Sequence, residues 1–158
     1  MKLQQLLLPL LPGLLLLTGT LPSPADAIQT QPATQGDLEV DVIKAAAKEG
    51  ILTIQLMYRN KGTSDANIRS YKLADVYFLD TQDKKKYQVL KDSQNAFLAA
   101  PAVGGNIGTG WDGSGSLPIP AAGKLIVWFK FPAPPATTTK INLVIPDILP
   151  FEDLPISQ

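Results

Sequence analysis

Cysteine and histidine are both absent from this 158-residue sequence. Without them, the chain has no Ser-His-Asp or Cys-His nucleophile system, no histidine or thiolate metal site and no disulfide. A serine–lysine hydrolase remains chemically possible, but the sequence contains no Ser-x-x-Lys motif. We therefore expect a protein that is not an enzyme and that uses no cofactor or metal.

A surplus of charge is also lacking, because 14 basic residues balance 14 acidic ones. A protein without net charge has no long-range field that would hold a nucleic acid or an anionic membrane surface. Nucleic acid is therefore not an expected partner.

The N-terminal segment has the features of a secretory signal peptide. Lys2 is the only charged residue before Asp26. The leucine-rich stretch between them is interrupted by proline and is too short to span a membrane comfortably, which takes about 20 residues. Residues 25–27, Ala-Asp-Ala, have the small-x-small pattern that signal peptidase cuts. We predict a cleaved signal peptide over residues 1–27, hence a periplasmic or secreted protein with no stable membrane span. Without cysteine it is not a lipoprotein.

After the expected cleavage site, the sequence changes from polar to alternating. Residues 28–36 are polar and are predicted to form a flexible leader. From Asp37 onwards, apolar and polar residues alternate as they do in half-buried strands. The alternating segments lie near residues 38–42, 52–58, 73–79, 87–90, 125–131 and 141–145. Only residues 44–48, which include three alanines, look helical, and they are too few for more than a turn.

Short strands at regular spacing, together with 14 prolines, are typical of an all-β protein. We predict an immunoglobulin-like antiparallel β-sandwich of about seven strands over residues 37–158, without the disulfide of that fold. A small β-barrel is the alternative.

Four segments in the second half of the sequence form a recognisable set. They are 87–93 (YQVLKDS), 128–135 (WFKFPAPP), 145–147 (IPD) and 150–156 (PFEDLPI). Together they resemble an exported bacterial immunoglobulin-like domain of unknown function, which occurs alone after a signal peptide or ahead of an OmpA-like peptidoglycan-binding domain. The resemblance implies the sandwich fold and carries no site residue with it. Because the sequence ends at Gln158, we expect no wall-binding domain after the sandwich.

The glycine-rich loop 104–116 is the candidate binding site. Residues 108–113 match G-x-G-x-x-G, but the segment 114–120 that follows cannot form the helix that a dinucleotide site needs. Trp111 is expected to be exposed near Asn106 and Asp112, where it would stack on a sugar ring or anchor a partner protein. The alternative is that Trp111 folds back over one end of the sheets and that the loop only links strands.

Two clusters of charged residues have simpler interpretations. The run Lys84–Lys86 is typical of a hairpin tip that resists edge pairing, with contact to an anionic polymer as the alternative. Four acidic residues lie close together in sequence, namely Asp75, Asp80, Asp83 and Asp92. Because no D-x-D-x-D-G loop is present, we expect them to be turn carboxylates rather than a calcium site.

These observations predict a non-catalytic binding module outside the cytoplasm. It would bind an unknown protein or envelope component through loop 104–116 or through a sheet face. Carbohydrate binding through Trp111 is one alternative, and a purely structural role in the cell envelope is another. Nothing in the sequence predicts an oligomeric state.

Overall fold

A computed structural model describes residues 27–34, 36–108 and 115–158. The expected signal peptide therefore lies outside the described residues, apart from its last residue, Ala27. Trp111 and Asp112 also lie outside them. Among the residues described, no helix is long and apolar enough to cross a membrane.

The described residues form an all-β fold in which the strands pair in antiparallel sheets. In chain order the strands are β1 (Gln29–Pro32), β2 (Leu38–Lys48), β3 (Ile51–Asn60), β4 (Ala66–Ile68), β5 (Tyr71–Lys72), β6 (Tyr77–Asp80), β7 (Lys85–Gln88), β8 (Ala99–Ala100), β9 (Ala102–Val103), β10 (Asn106–Ile107), β11 (Leu117–Ile119), β12 (Lys124–Pro132), β13 (Lys140–Val144) and β14 (Phe151–Pro155). A short 3-10 turn, Leu73–Asp75, precedes β6.

Two of the sheets are large enough to build a core. Sheet I has the strand order β1-β2-β3-β12-β8, and sheet II has the order β14-β13-β6-β7. Two smaller sheets, β5-β10-β9 and β11-β4, close the sides.

The core lies between the inner faces of the two large sheets. On β12, alternate residues point inward, and Val127, Phe129 and Phe131 are all fully buried. The Phe131 ring meets the Phe78 ring of sheet II edge-on, with 5.3 Å between centroids, and Phe78 in turn stacks on Tyr87 at 4.6 Å. Each fully buried large apolar side chain stabilises the fold by about 1.5–3 kcal/mol. Two sheets joined by one apolar layer are consistent with a β-sandwich.

Strand β2 is longer than the sequence indicates. The alanine-containing segment 44–48, which was expected to form a helical turn, continues β2, so that expectation is wrong. Ala45 pairs with Ile54 and Ala47 with Leu52, so the small side chains face the packed interior. Pairing with a long neighbouring strand outweighs the helix propensity of alanine, which is a weak local preference. The hairpin to β3 turns through Glu49 and Gly50, both with positive φ, as a type I′ turn requires.

The segment predicted as a flexible leader contains a strand. Residues 29–32 form β1 and pair with residues 39–42 of β2, so the expectation of a leader over the whole of 28–36 is wrong. The side-chain amides of Gln29 and Gln31 donate to the backbone oxygens of Glu152 (3.3 Å) and Pro150 (3.0 Å). Strand β1 therefore links the edge of sheet I to β14 of sheet II. Its inward residues are glutamines that bind backbone, so apolar alternation does not reveal it.

Candidate functional site

The outer face of sheet I is the surface opposite the core. Because side chains alternate along a strand, the residues between the inward-facing ones lie on the opposite side, where Asp41 and Met57 are themselves buried. The outer face of sheet I comprises Glu39, Asp41 and Lys44 of β2, Thr53, Gln55, Met57 and Arg59 of β3, and Lys124, Ile126, Trp128 and Lys130 of β12. A β-bulge between Val42 and Lys44 shifts the register so that Lys44 joins this face.

A half-buried tryptophan lies at the centre of this face. Trp128 pairs with Gln55 on one side and with Ala100 of β8 on the other. The ammonium of Lys130 stands 6.0 Å from the Trp128 ring centroid. Ile126, the preceding outward residue, is 45% exposed. Ile126 and part of the Trp128 ring therefore form an apolar surface bordered by an amide and a cation.

One end of the face carries an ion cluster around Arg59. Its Nη2 lies 2.9 Å from Asp41 Oδ1 and 2.9 Å from Glu39 Oε2, and its Nε also donates to Asp41. Thr30 Oγ1 of β1 donates to Asp41 Oδ1 at 2.6 Å. Burial raises the pKa of Asp41, but the hydrogen bonds from Arg59 and Thr30 and the charges of Arg59 and Lys124 outweigh it, so the pKa is lowered. Both carboxylates of the face are thus bound by the same guanidinium.

Three lysines of the face have no such partner. Within the described part of the chain, none of the ion pairs involves Lys44, Lys124 or Lys130. The face carries four cations, Arg59, Lys44, Lys124 and Lys130, against two carboxylates, Glu39 and Asp41, so its net charge is positive. The face therefore combines an accessible aromatic ring with surrounding cations.

Of the three residues predicted for the site in loop 104–116, the structure describes Asn106. Asn106 belongs to β10, pairs with Lys72 and Val103, and donates from Nδ2 to the backbone oxygen of Gly104 at 3.2 Å. Its side chain thus contributes to its own turn. Trp111 and Asp112 are outside the described residues, so a binding role for this loop stays a prediction.

Asp80 is a buried carboxylate with a structural role. It lies at the end of β6 and accepts hydrogen bonds from Thr138 Oγ1 (2.6 Å) and from the backbone N–H groups of Gln82 (2.9 Å) and Asp83 (3.2 Å). Burial raises its pKa, but these hydrogen bonds outweigh burial and lower it. Among the described residues, no three acidic side chains gather in a way that could hold a metal ion.

The basic run Lys84–Lys86 lies on the β6–β7 hairpin, and β7 is an edge strand of sheet II. The ammonium of Lys85 stands 4.9 Å from the centroid of the Tyr87 ring, and that of Lys86 stands 3.8 Å from the centroid of the Tyr77 ring. These lysines cover aromatic surface of their own sheet, which agrees with the simpler interpretation of an edge protected by charge.

A small cavity lies beside two buried tyrosines. The hydroxyls of Tyr58 and Tyr71 are 3.2 Å apart, and burial raises the pKa of both. The adjacent cavity, lined in part by Ile68 and Ile148, has a volume of about 20 Å³. This is room for about one water molecule, so the cavity is too small for a ligand.

Sequence reasoning missed Trp128 as a candidate site residue. The alternation along 125–131 already placed Trp128 opposite Phe129 and Phe131, so its outward direction was predictable. What the pattern did not indicate is that, among the residues the structure describes, no second sheet pairs with or packs over this side of the strand. No protein-family model matches the chain, and neither a curated protein nor a solved structure is significantly similar to it.

Proposed function

We propose that this chain is an exported, non-catalytic binding module with an immunoglobulin-like fold, and that it binds a partner through the outer face of sheet I. The observation that carries the proposal is the half-buried Trp128 on the outer face of sheet I, beside Ile126, which is 45% exposed. Tryptophan is the residue most enriched among those that dominate binding energy, and its exposure on a rigid sheet has no benefit for folding.

The strand order supports an immunoglobulin-like fold. In the constant-type immunoglobulin domain, one sheet has the order A-B-E-D and the other contains C, F and G. Sheet I contains β2-β3-β12-β8 in the first order, and β14-β13-β6 in sheet II follows the order G-F-C, with β7 in the place of strand C′. The correspondence also holds along the chain, because β2, β3, β6, β7, β8, β12, β13 and β14 then follow one another as A, B, C, C′, D, E, F and G. Strand β1 is an addition before strand A.

The roles of the buried carboxylates support a non-catalytic module. Asp41 is bound by Arg59 and Thr30, and Asp80 is bound by Thr138 and two backbone N–H groups. Each carboxylate is held by neighbours within the fold rather than directed into a cleft. Export is supported by the leucine-rich N-terminal segment and the Ala-Asp-Ala tripeptide at 25–27.

The test is site-specific photo-crosslinking in the cells that produce the protein. A photoreactive side chain replaces Gln55 on the outer face of sheet I or, as a matched control, Val144 on the outer face of sheet II. Both positions are half-buried and lie in central strands. We expect a discrete cross-linked species from position 55 that is absent from position 144 and that is lost when Trp128→Ala is added. If the folded protein gives no cross-link from position 55, the proposal is wrong.

A further inference from the structure

We propose that the ligand of the outer face of sheet I is an acidic polysaccharide, with a sugar ring stacked on Trp128 and its anionic groups paired with Lys44, Lys124 and Lys130. This inference rests on the binding role proposed above and names the class of ligand for the same surface. It follows from three features of the face, namely its charge, the spacing of its cations and the pairing of its central strands on both sides.

The first feature is the distribution of charge. Arg59 pairs with both Glu39 and Asp41, and Lys61 also pairs with Glu39, so the two carboxylates of the face are matched by two cations. The three lysines have no ion pair within the described residues. The whole chain is neutral, with 14 basic and 14 acidic residues, so this local excess of cations is not a consequence of overall composition. The complementary ligand is an anion.

The second feature is the arrangement of the lysines around the tryptophan. Successive outward residues of a strand are about 7 Å apart, and neighbouring strands are about 4.8 Å apart. Lys130 is therefore about 7 Å from Trp128 along β12, Lys124 is about 13 Å away in the other direction, and Lys44 is about 10 Å away across β3. Cations at these separations match charges repeated along an extended polymer better than a single small anion.

The third feature is that the central strand β3 is paired on both sides. The backbone groups of β3 bond to β2 and β12, so a peptide cannot add a strand at this position. The groups available to a ligand are the indole face of Trp128, the amide of Gln55 and the hydroxyl of Thr53, besides the lysines. An aromatic face suits the apolar face of a pyranose ring, and the amide and hydroxyl suit its hydroxyl groups. These features favour an acidic sugar chain over an acidic peptide.

The lysines of sheet II provide the matched control. Lys85 and Lys86 lie over Tyr87 and Tyr77, away from the outer face of sheet I. The double variant Lys85→Gln/Lys86→Gln therefore removes the same charge as Lys44→Gln/Lys130→Gln but leaves the proposed surface unchanged. Any effect of net charge alone would appear equally in both.

The experiment measures binding of the purified protein to polygalacturonate, alginate and chondroitin sulfate by calorimetry. Methyl-esterified polygalacturonate serves as the uncharged form of the first polymer, and polyglutamate serves as an acidic peptide. We expect binding to at least one acidic polysaccharide that weakens about tenfold or more between about 50 mM and 500 mM NaCl, because salt screens exposed charges. Lys44→Gln/Lys130→Gln should weaken it about tenfold, and Lys85→Gln/Lys86→Gln less than about twofold. Trp128→Phe keeps a ring and should bind better than Trp128→Leu, with thermal melting verifying that each variant is folded.

Three results would overturn the inference. These are binding to none of the three acidic polysaccharides, equal binding of polyglutamate, and equal loss in the two lysine double variants. If any of these occurs while position 55 still gives a specific cross-link, the ligand class is wrong and the binding role of the face stands. If position 55 gives no cross-link and no polymer binds, both proposals fail.

Discussion

The outer faces of the two large sheets differ in how closely a lysine of the same sheet approaches the aromatic ring. On sheet II, Tyr77 is half-buried and the ammonium of Lys86 lies 3.8 Å from its ring centroid. On sheet I, the ammonium of Lys130 lies 6.0 Å from the ring centroid of Trp128, and the neighbouring Ile126 is 45% exposed. Both rings are half-buried and have a lysine of their own sheet above them, in close contact on sheet II and near the outer limit of a cation–π contact on sheet I.

The inner-face residues are required for folding, whereas the outer-face residues are less constrained by it. Both sheets use their inner faces in the same way, through Phe78 on sheet II and Phe129 and Phe131 on sheet I. The outer faces contribute little to the core, so their composition is less constrained by stability. The half-buried Trp128 beside the exposed Ile126 is the feature of sheet I on which the proposed binding face rests.

The largest expected effect compares the two sides of β12. Phe129→Ala should lower the free energy of unfolding by about 3–5 kcal/mol, because it leaves a cavity in the core. Trp128→Ala should lower it by only about 1–2 kcal/mol, because the indole is partly covered. Urea unfolding of the two variants gives both values. Equal destabilisation would mean that Trp128 is a structural residue, and the contrast between inner and outer faces would not hold.

An intermediate effect compares the two buried carboxylates. Asp80→Asn and Asp41→Asn should each lower the free energy of unfolding by about 1–3 kcal/mol at neutral pH, because each removes the charge that its buried donors stabilise. The pKa of each carboxylate is lowered in the folded state. Their contribution is therefore complete above the unfolded pKa of about 3.9 and is lost as the pH falls through the folded pKa.

Urea unfolding as a function of pH and of salt measures this prediction. Each Asn variant should reduce the loss of stability of the parent protein below about pH 4. High salt should reduce the cost of Asp41→Asn, whose partner is a cation at the surface, more than that of Asp80→Asn, whose donors are neutral. A steeper acid dependence in either variant than in the parent protein would contradict the direction of the pKa change.

The smallest expected effect is that of Lys86→Gln, which removes the cation above Tyr77. The protein should stay folded, and the iodination rate of Tyr77 should rise about twofold, since an exposed cation–π contact contributes about 0.5 kcal/mol. Lys85→Gln is the control, because its partner Tyr87 is buried and should stay unreactive. Mass spectrometry of the iodinated peptides reads both sites. An unchanged rate at Tyr77 would show that Lys86 does not cover the ring.

The alternation of apolar and polar residues along the chain predicts much of the fold but only part of the candidate site. The alternation along 125–131 predicted which residues of β12 are buried, because a strand must direct alternate side chains to opposite faces. The same reasoning failed for β1, whose inward residues are Gln29 and Gln31 and whose partners are backbone oxygens near β14. It also failed for residues 44–48, where strand pairing outweighed the helix propensity of three alanines.

By itself, the sequence determined the all-β class and the inward and outward sides of the main strands, since both depend on a two-residue period. Only the tertiary structure decided which residues meet. Asp80 and Thr138 are 58 positions apart and share a buried hydrogen bond, and Gln55 becomes the neighbour of Trp128 only through the pairing of β3 with β12. The physical reason is that strand pairing and sheet packing join residues distant along the chain, and a local pattern contains no information on which strands will become neighbours.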